Sequence, residues 1–240
     1  MRYLGKISYD GSKFEGFQRL NNGKGVQNEL ENVLSKIAKQ QVDVKGSGRT
    51  DRGVHALNQG ISFTLSLDIT PDKLKYVMNR LLNPYVTVKE LKVVEDDFHA
   101  RFNAKEKTYL YKVYYGEKDS FLNDYVAYIY QKPNRRLMSS AAKVFIGTHT
   151  FTNFVSGYRD NYETTIYKIN VKKAGNYYYF TFTGTGFYRY MIRHLVGAIL
   201  DVGMGKCALN DIKKALDNPN QKITFSVMIP NGLYLVDVKY

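Results

Sequence analysis

The 240-residue sequence lacks several features that define whole classes of protein. Its one cysteine, Cys207, excludes an internal disulfide and favours a reducing compartment. The N-terminal stretch lacks the apolar core of a signal peptide, and no apolar run approaches the roughly 20 residues that a membrane helix needs. We therefore expect a cytoplasmic protein with no membrane contact.

Acidic residues are also scarce, with 22 Asp and Glu against 35 Lys and Arg. The resulting formal charge of +13 and the pI near 9.5 are typical of proteins that bind nucleic acid. A membrane surface is the alternative partner, but no basic helix carries the Trp- and Phe-rich face that interfacial anchors use. Tryptophan is absent, whereas 21 tyrosines provide rings that can stack on bases, although most of them are expected in the core.

Motifs for metals and nucleotide cofactors are missing as well. The histidines show neither HExxH nor Cys/His spacing, so we expect no metal site; they are His55, His99, His149 and His194. Gly184-Thr-Gly186 fails the spacing of both common glycine-rich phosphate loops. We therefore expect no nucleotide cofactor.

Hydrophobic periodicity predicts two α+β halves, each with the element order β-α-β-β-α-β. In the first half we predict strands at residues 2–9, 42–45, 61–67 and 86–94, and helices at 26–39 and 70–82. In the second half we predict strands at 107–115, 125–130, 164–173, 177–183 and 233–239, and helices at 137–145, 187–202 and 211–216. The predicted fold is two ferredoxin-like halves, residues 1–104 and 105–240, packed side by side around a central basic cleft.

One carboxylate, Asp51, lies in an unusual loop, Gly46-Ser-Gly-Arg-Thr-Asp-Arg-Gly-Val-His-Ala56. The glycines of this loop let a ligand approach the main chain closely. Arg49 and Arg52 flank the acid, which favours its ionised form and attracts phosphate. An ordinary glycine-rich turn with a charge pair explains the same residues, so both interpretations stay open on spacing alone.

Two further pairs of residues have the composition of a functional site. A predicted helix from Phe187 carries Arg189 and Arg193 four residues apart, so both would share one face. A solvated arginine pair is the alternative. Tyr109 and Tyr111 lie two apart on a predicted strand and face the same side, which suits a platform for bases, although an aromatic core ladder is the more common arrangement.

Taken together and in order, these motifs resemble the tRNA pseudouridine synthase A family from one end of the chain to the other. The matching stretches are Tyr9–Gln18 with Val26-Gln27, Gly48–Ala56, Phe98–Phe102 with Tyr109, Gly147–Phe151, Gly186–Gly197 and Gly232–Leu235. Departures from the family pattern occur at Gly25, Thr150 and Met228-Ile229-Pro230, none of which belongs to the presumed chemistry.

The resemblance implies an isomerase that converts uridine to pseudouridine at positions 38, 39 and 40 of the tRNA anticodon arm, works as a homodimer and needs no cofactor. It also implies that Asp51 is the essential aspartate, that Tyr109 packs on the base and that Arg193 is paired with the aspartate. Arg52, next to the acid, is a candidate to fill the space that a flipped uridine vacates. The residues predicted to contact the substrate are Arg19, Arg49, Arg52, Tyr111, Arg189 and Leu233.

Three alternatives stay open at this point. A paralogue that modifies another tRNA site or ribosomal RNA would carry the same core. A non-catalytic RNA-binding module explains the charge and the tyrosines but not the Arg-Thr-Asp loop. A phosphoryl-transfer enzyme would use the glycine-rich loops and would have to bind nucleotide or magnesium. The sequence also leaves open whether Asp51 attacks C1′ or C6 or acts as a base.

Overall fold

The computed structural model of the chain describes residues 1–158 and 160–240. Their contacts form two compact units, one of Met1–Lys105 with Tyr234–Tyr240 and the other of Glu106–Leu233. Each unit combines strands with helices, so the protein has the mixed α+β architecture that the sequence predicts. The segment Tyr234–Tyr240 lies with the first unit, whereas the sequence-based division assigns it to the second half.

Six elements follow one another in the first unit in the order β-α-β-β-α-β. They are β1 (Arg2–Tyr9), α1 (Val26–Ala38), β2 (Lys45–Gly46), β3 (His55–Thr64), α2 (Pro71–Leu81) and β4 (Val86–Val94). Both helices begin where their local signals predict. The Asn28 side chain accepts the Gly25 N–H at 3.1 Å in front of α1. α2 begins at Pro71, which suits the first helical position, but the Thr70 hydroxyl before it makes no capping hydrogen bond, contrary to the expectation for a threonine at this position. β3 begins at His55 rather than Ile61. Its first residues already pair with β1, but polar and apolar side chains do not alternate there, so the periodicity of the sequence does not indicate them.

The later elements are β5 (Glu106–Tyr115), β6 (Ala127–Ile129), α3 (Arg135–Val144), β7 (Gly147–Thr150), β8 (Glu163–Ala174), β9 (Tyr177–Gly184), α4 (Met191–Gly203), α5 (Leu209–Asp217) and β10 (Leu233–Lys239). The structure differs from the predictions in two places here. A strand that the sequence did not predict, β7, begins at Gly147, which has φ of 116°. α4 begins at Met191 rather than Phe187, because Tyr190 interrupts the helical backbone.

Each unit contains its own run of paired strands. In the first unit, β1 lies between β3 and β4 and is antiparallel to both, while β2 pairs antiparallel with β3. β10 is parallel to β3, with Tyr234 opposite His55. In the second unit, β9 lies between β5 and β8, and β7 and β6 pair with β8 and β5 respectively. The Asp51 loop thus connects β2 to β3.

Helices bury their apolar residues in each core. α1 buries Leu30 and Leu34, and α2 buries Leu74 and Met78. α4 is buried along nearly its whole length and has 13 residues. In the part of the chain that the structure describes, no helix combines the length and the apolarity that crossing a membrane requires.

Candidate functional site

The predicted catalytic aspartate, Asp51, lies at the start of a tight turn in the first unit. Its carbonyl oxygen accepts the Val54 N–H at 3.1 Å. Gly53, the third residue of the turn, has φ of 80°, a conformation that type II turns reserve largely for glycine. Asp51 is partly exposed, whereas Thr50 and Val54 are buried. Buried neighbours therefore hold the turn while the acid keeps access to solvent.

The segment between β1 and α1 packs closely on this turn through two glycines. A Cβ on Gly11 would lie 2.0 Å from the Val54 carbonyl oxygen, and one on Gly16 would lie 2.9 Å from the Thr50 carbonyl oxygen. The Phe17 N–H donates to the same Thr50 oxygen at 3.0 Å. Because these approaches bring main chain against main chain, they require glycine and leave the turn little freedom.

Buried polar side chains hold the loop on the side before Asp51. Gln59 is fully buried and donates from Nε2 to the Gly48 carbonyl oxygen at 2.8 Å. The Tyr9 hydroxyl and Thr50 Oγ1 share a buried hydrogen bond of 2.8 Å. The acid is thus carried by a loop fixed at several points, which is what a precisely placed functional group requires.

The three arginines predicted to bind RNA in the first unit have different surroundings. Arg49 and Arg52 are exposed. Arg19 donates from Nε and Nη2 to the two oxygens of Glu31, at 2.6 Å each, and from Nη2 to Asp43 at 2.5 Å. The hydrogen bonds and charge of Glu31, and then those of Asp43, raise the pKa of the Arg19 guanidinium. Two carboxylates therefore balance the charge of Arg19, so Arg49 and Arg52 supply the exposed positive charge of the loop.

Glu31 is a structural residue that the sequence analysis missed. Only 8% of it is exposed, and its Oε1 also accepts hydrogen bonds from Gln27 Nε2 at 2.9 Å and the Val44 N–H at 3.0 Å. Its spacing within α1 is that of an ordinary helical glutamate. The partners Arg19 and Val44 lie 12 and 13 residues away, so no local pattern points to them.

The two predicted tyrosines of the second unit differ in their access to a ligand. Tyr109 lies on β5 with 9% of its surface exposed, and the Phe187 ring meets it edge-on, with centroids 5.3 Å apart. Tyr111 is fully buried, and its hydroxyl donates to the Ile229 carbonyl oxygen at 2.5 Å. Burial raises the pKa of the Tyr111 hydroxyl. Because its ring has no accessible face, Tyr111 is a core residue, and of the predicted pair only Tyr109 keeps an exposed fraction.

Tyr190, which the sequence analysis did not single out, brings the arginines of the second unit together. The guanidinium carbon of Arg193 lies 4.2 Å from the Tyr190 ring centroid, and that of Arg189 lies 4.8 Å from it. Tyr190 has φ of 61°, in the left-handed region, and α4 begins directly after it. The prediction that Arg189 and Arg193 share a helix face is therefore wrong, because Arg189 lies outside the helix. The ring between the two arginines in the sequence is the signal that could have revealed this cluster.

The main chain also holds Arg193. Its Nε donates to the Met228 carbonyl oxygen at 2.5 Å, and the Met228 N–H donates back to the Arg193 carbonyl oxygen at 3.2 Å. One face of the guanidinium packs on the Tyr190 ring, and its Nε binds Met228. These two contacts fix the orientation of the group, whose opposite edge is formed by its two Nη groups. Leu233, predicted to touch the substrate, is 6% exposed and begins β10.

Among the residues that the structure describes, metal-ligating side chains are not clustered. Within residues 1–158 and 160–240, no group of three or more His, Cys, Asp or Glu side chains is placed to hold a metal ion. The His55 ring stacks on the Tyr234 ring, with centroids 4.6 Å apart, and His55 Nδ1 accepts the Gly11 N–H at 3.1 Å. That histidine therefore supports the packing beside the Asp51 loop.

Comparison with known proteins finds relatives along nearly the whole chain. A family model described as "tRNA pseudouridine synthase" matches residues 7–103 and 141–240; these ranges contain Asp51 and Arg193, and Tyr109 lies between them. Proteins named tRNA pseudouridine synthase A from Mycoplasmoides gallisepticum, Staphylococcus carnosus and Anoxybacillus flavithermus are 38%, 39% and 40% identical over 98% of this chain, which spans 89%, 89% and 96% of their lengths. Similarity to solved structures is weaker. A chain of a Cbf5-Nop10-Gar1 complex aligns with 71% of this chain at 14% identity and a TM-score of 0.35, over 39% of its own length.

Proposed function

The chain belongs to the tRNA pseudouridine synthase family, and from this premise we propose which residues carry its reaction. It is an isomerase that converts uridine to pseudouridine in tRNA. Its targets are the uridines at positions 38, 39 and 40 of the anticodon stem-loop, and Asp51 is the catalytic aspartate. The observation that carries the proposal is that a matched family range includes a loop in which Asp51 is partly exposed while Gly11 and Gly16 fix the backbone on either side.

The reaction needs one well-placed carboxylate. It breaks the C1′–N1 bond of uridine, turns the uracil and forms a C1′–C5 bond, while C5 loses a proton and N1 gains one. Atoms and electrons balance without an oxidant, a reductant or water. A carboxylate acts as nucleophile or base in such a sequence provided that it stays ionised, and bulk water has to be kept from the intermediate.

Arg193 keeps Asp51 ionised in this proposal. Burial raises the pKa of a carboxyl group, whereas a nearby guanidinium lowers it. The contacts of Arg193 with Tyr190 and Met228 support this role, because they use one ring face and Nε. The two Nη groups then form the edge that pairs with a carboxylate in a bidentate contact.

Tyr109 holds the detached uracil by stacking. Its edge-on contact with Phe187 supports this role, because a ring that is already ordered loses little entropy when a base packs on it. Base stacking on an aromatic side chain contributes about 1–3 kcal/mol. Tyr111 and Leu233 support the site from within the protein, since both are buried.

The exposed arginines bind the tRNA backbone. Arg49, Arg52 and Arg189 are exposed and carry part of the excess positive charge of the chain. Arg52 also fills the space that the flipped uridine leaves in its stack. Each phosphate that an arginine neutralises releases counterions, so affinity falls as salt rises. Replacing one of these arginines by Gln should make the plot of log affinity against log salt less steep by about 1.

The proposed architecture is two ferredoxin-like halves around a basic cleft, in a cytoplasmic homodimer. For the first unit it is supported by the β-α-β-β-α-β order and by the position of β1 between β3 and β4. The homodimer and the cytoplasm follow from the family resemblance and from the single cysteine, Cys207.

Release of tritium from C5-labelled uridine in an anticodon-arm tRNA tests the function. We expect release by the wild type and none by Asp51→Asn, which should bind tRNA as the wild type does. Asp96→Asn, at an exposed acid just after β4, is the matched control and should release tritium normally. Equal release by Asp51→Asn and the wild type would contradict the role of Asp51. Absence of release by the wild type would favour an RNA-binding module, and mapping pseudouridine outside positions 38 to 40 would correct the target.

A further inference from the structure

We propose that Asp201 and Ser226 are positioning residues for Arg193, because they fix the segment that holds its guanidinium. This proposal rests on the role of Arg193 in the function proposed above. The segment is the irregular stretch 225–229 between α5 and β10, called here the α4 strap because it lies along α4.

The strap lies on one face of α4. Arg193, Gly197 and Asp201 are spaced by four residues along the helix and so share that face. A Cβ on Gly197 would lie 1.7 Å from the Ser226 carbonyl oxygen. The strap therefore rests directly on the helix backbone at its middle, where no side chain fits.

Asp201 clamps the strap at one end of this contact. Its Oδ2 accepts the Ser226 N–H and its Oδ1 accepts the Ser226 hydroxyl, both at 2.8 Å. Only 6% of Asp201 is exposed, and hydrogen bonds to a buried carboxylate are among the stronger ones in proteins. Both oxygens thus hydrogen-bond to a single residue of the strap.

Two residues further along the strap, Met228 makes its paired contacts with Arg193. The Met228 carbonyl oxygen accepts Arg193 Nε, and the Met228 N–H donates to the Arg193 carbonyl oxygen. The position of Nε therefore depends on the position of Ser226, since a shift of the strap at Ser226 moves Met228. The strap is held on either side of these contacts: Phe225 stacks on Phe154 with centroids 5.4 Å apart, and the Ile229 carbonyl oxygen accepts the Tyr111 hydroxyl.

Placement of the guanidinium decides how well it pairs with a carboxylate. A bidentate contact needs both Nη groups in register with two oxygens, and a misplacement of about 1 Å can cost as much as a hundredfold in rate. In Asp201→Asn, the amide oxygen can still accept the Ser226 N–H, but the NH2 group replaces the oxygen that accepts the Ser226 hydroxyl. The hydroxyl then has to turn and accept instead of donate, and both contacts lose the charge of the carboxylate. We expect kcat to fall between about tenfold and a hundredfold, with KM for tRNA little changed, since phosphate contacts lie on other residues.

A double-mutant cycle tests the proposal. Single-turnover tritium release is measured for Asp201→Asn and Ser226→Ala, in the wild type and in Arg193→Lys, which keeps the charge but lacks the fork. We expect both substitutions to slow the wild type and to have little further effect in Arg193→Lys. The acid limb of the pH–rate profile should shift to higher pH, and Ser226→Thr, which keeps the hydroxyl, should retain activity. Lys206→Met is the matched control. Lys206 is half-exposed and its Nζ lies 3.9 Å from Asp201 Oδ1, so this variant changes a neighbour of Asp201 but leaves the Ser226 contacts in place and should keep the wild-type rate.

The outcomes separate this proposal from the one on which it rests. If Asp201→Asn and Ser226→Ala cost the same factor in both backgrounds, or if folded variants keep the wild-type kcat and pH profile, the clamp proposal fails and the role of Arg193 stands. If Arg193→Lys alone matches the wild type, the proposed role of Arg193 fails first. Should Asp201→Asn not fold, the milder Ser226→Ala decides, since it keeps the Ser226 N–H bond to Asp201.

Discussion

The Arg193 guanidinium carbon lies 4.2 Å from the centroid of the Tyr190 ring, and Tyr190 itself has a left-handed backbone with φ of 61°. Such a backbone costs a residue with a Cβ about 1–2 kcal/mol. The Met191 N–H donates to the Tyr188 carbonyl oxygen at 3.1 Å across this residue, which holds the turn. Backbone strain of this kind concentrates at functional sites, and here it places the ring under the arginine.

Replacing Tyr190 should separate stability from activity. Tyr190→Gly removes the cation–π contacts but also relieves the left-handed strain, and because these effects are of similar size its melting temperature should stay close to that of the wild type. Because a cation–π contact contributes about 0.5–2 kcal/mol, kcat should fall about 2- to 30-fold. Tyr190→Phe keeps the ring and serves as the control in calorimetry and tritium release. Full activity in Tyr190→Gly would show that the ring does not position Arg193.

Gly11 should tolerate no side chain. In Gly11→Ala the new methyl group would meet the Val54 carbonyl oxygen at 2.0 Å, and we expect a loss of about 3 kcal/mol in urea unfolding together with loss of activity. Gly23→Ala is the control: Gly23 has φ of 75° but nothing within 4 Å of a Cβ. It should cost about 1 kcal/mol and leave the activity unchanged. Similar losses in the two variants would contradict the close packing at Gly11.

The two carboxylates bound to Arg19 should contribute unequally to stability. Glu31→Gln disturbs a buried acceptor of several hydrogen bonds and should lower the free energy of unfolding by about 1–3 kcal/mol. Asp43 has a side chain that is 47% exposed, so Asp43→Asn should cost at most about 1 kcal/mol. Chemical denaturation of the two variants measures the difference, and equal costs would be the contrary result.

His194 should make the stability depend on pH. Burial, and then the charge of Arg193, lower the pKa of the His194 ring, so the unfolded chain binds its proton more readily than the folded protein does. The contribution of neutral His194 to stability is fully present above about pH 6.5, the pKa of histidine in the unfolded chain. This contribution is lost as the pH falls through the lower pKa that His194 has in the folded protein. His194→Gln should flatten the pH dependence of the melting temperature below about pH 7. Burial also lowers the pKa of His99, so the variant His99→Gln is measured alongside to separate the two contributions. Parallel curves for His194→Gln and the wild type would refute this contribution.

Much of the fold is predictable because its signals are local. Alternating residues predict β5, β8 and β9 to within one residue at each end, and Thr70 before Pro71 predicts the start of α2. The start of α4 is not predictable in this way. Its apolar spacing continues smoothly into the preceding residues, whereas the left-handed turn at Tyr190 depends on contacts formed in the folded protein.

The site is predictable only in part, for a related reason. Asp51 stands out because its glycines and arginines are adjacent in the sequence. The residues that hold the site are joined to distant partners, such as Asp201 to Ser226, 25 residues away. Burial also changes what a pattern means: Tyr109 and Tyr111 share a strand face, yet Tyr111 lies entirely in the core.

The parallel pairing of β10 with β3 affects how the protein is made. A ribosome synthesises residues 106–233 before it reaches Tyr234, the residue that lies opposite His55. The unit with the Asp51 loop therefore leaves the exit tunnel with one strand position beside β3 still vacant. Its maturation follows translation of the entire intervening unit, and nascent chains stalled before Tyr234 would have every residue of the loop but lack the strand that completes its sheet.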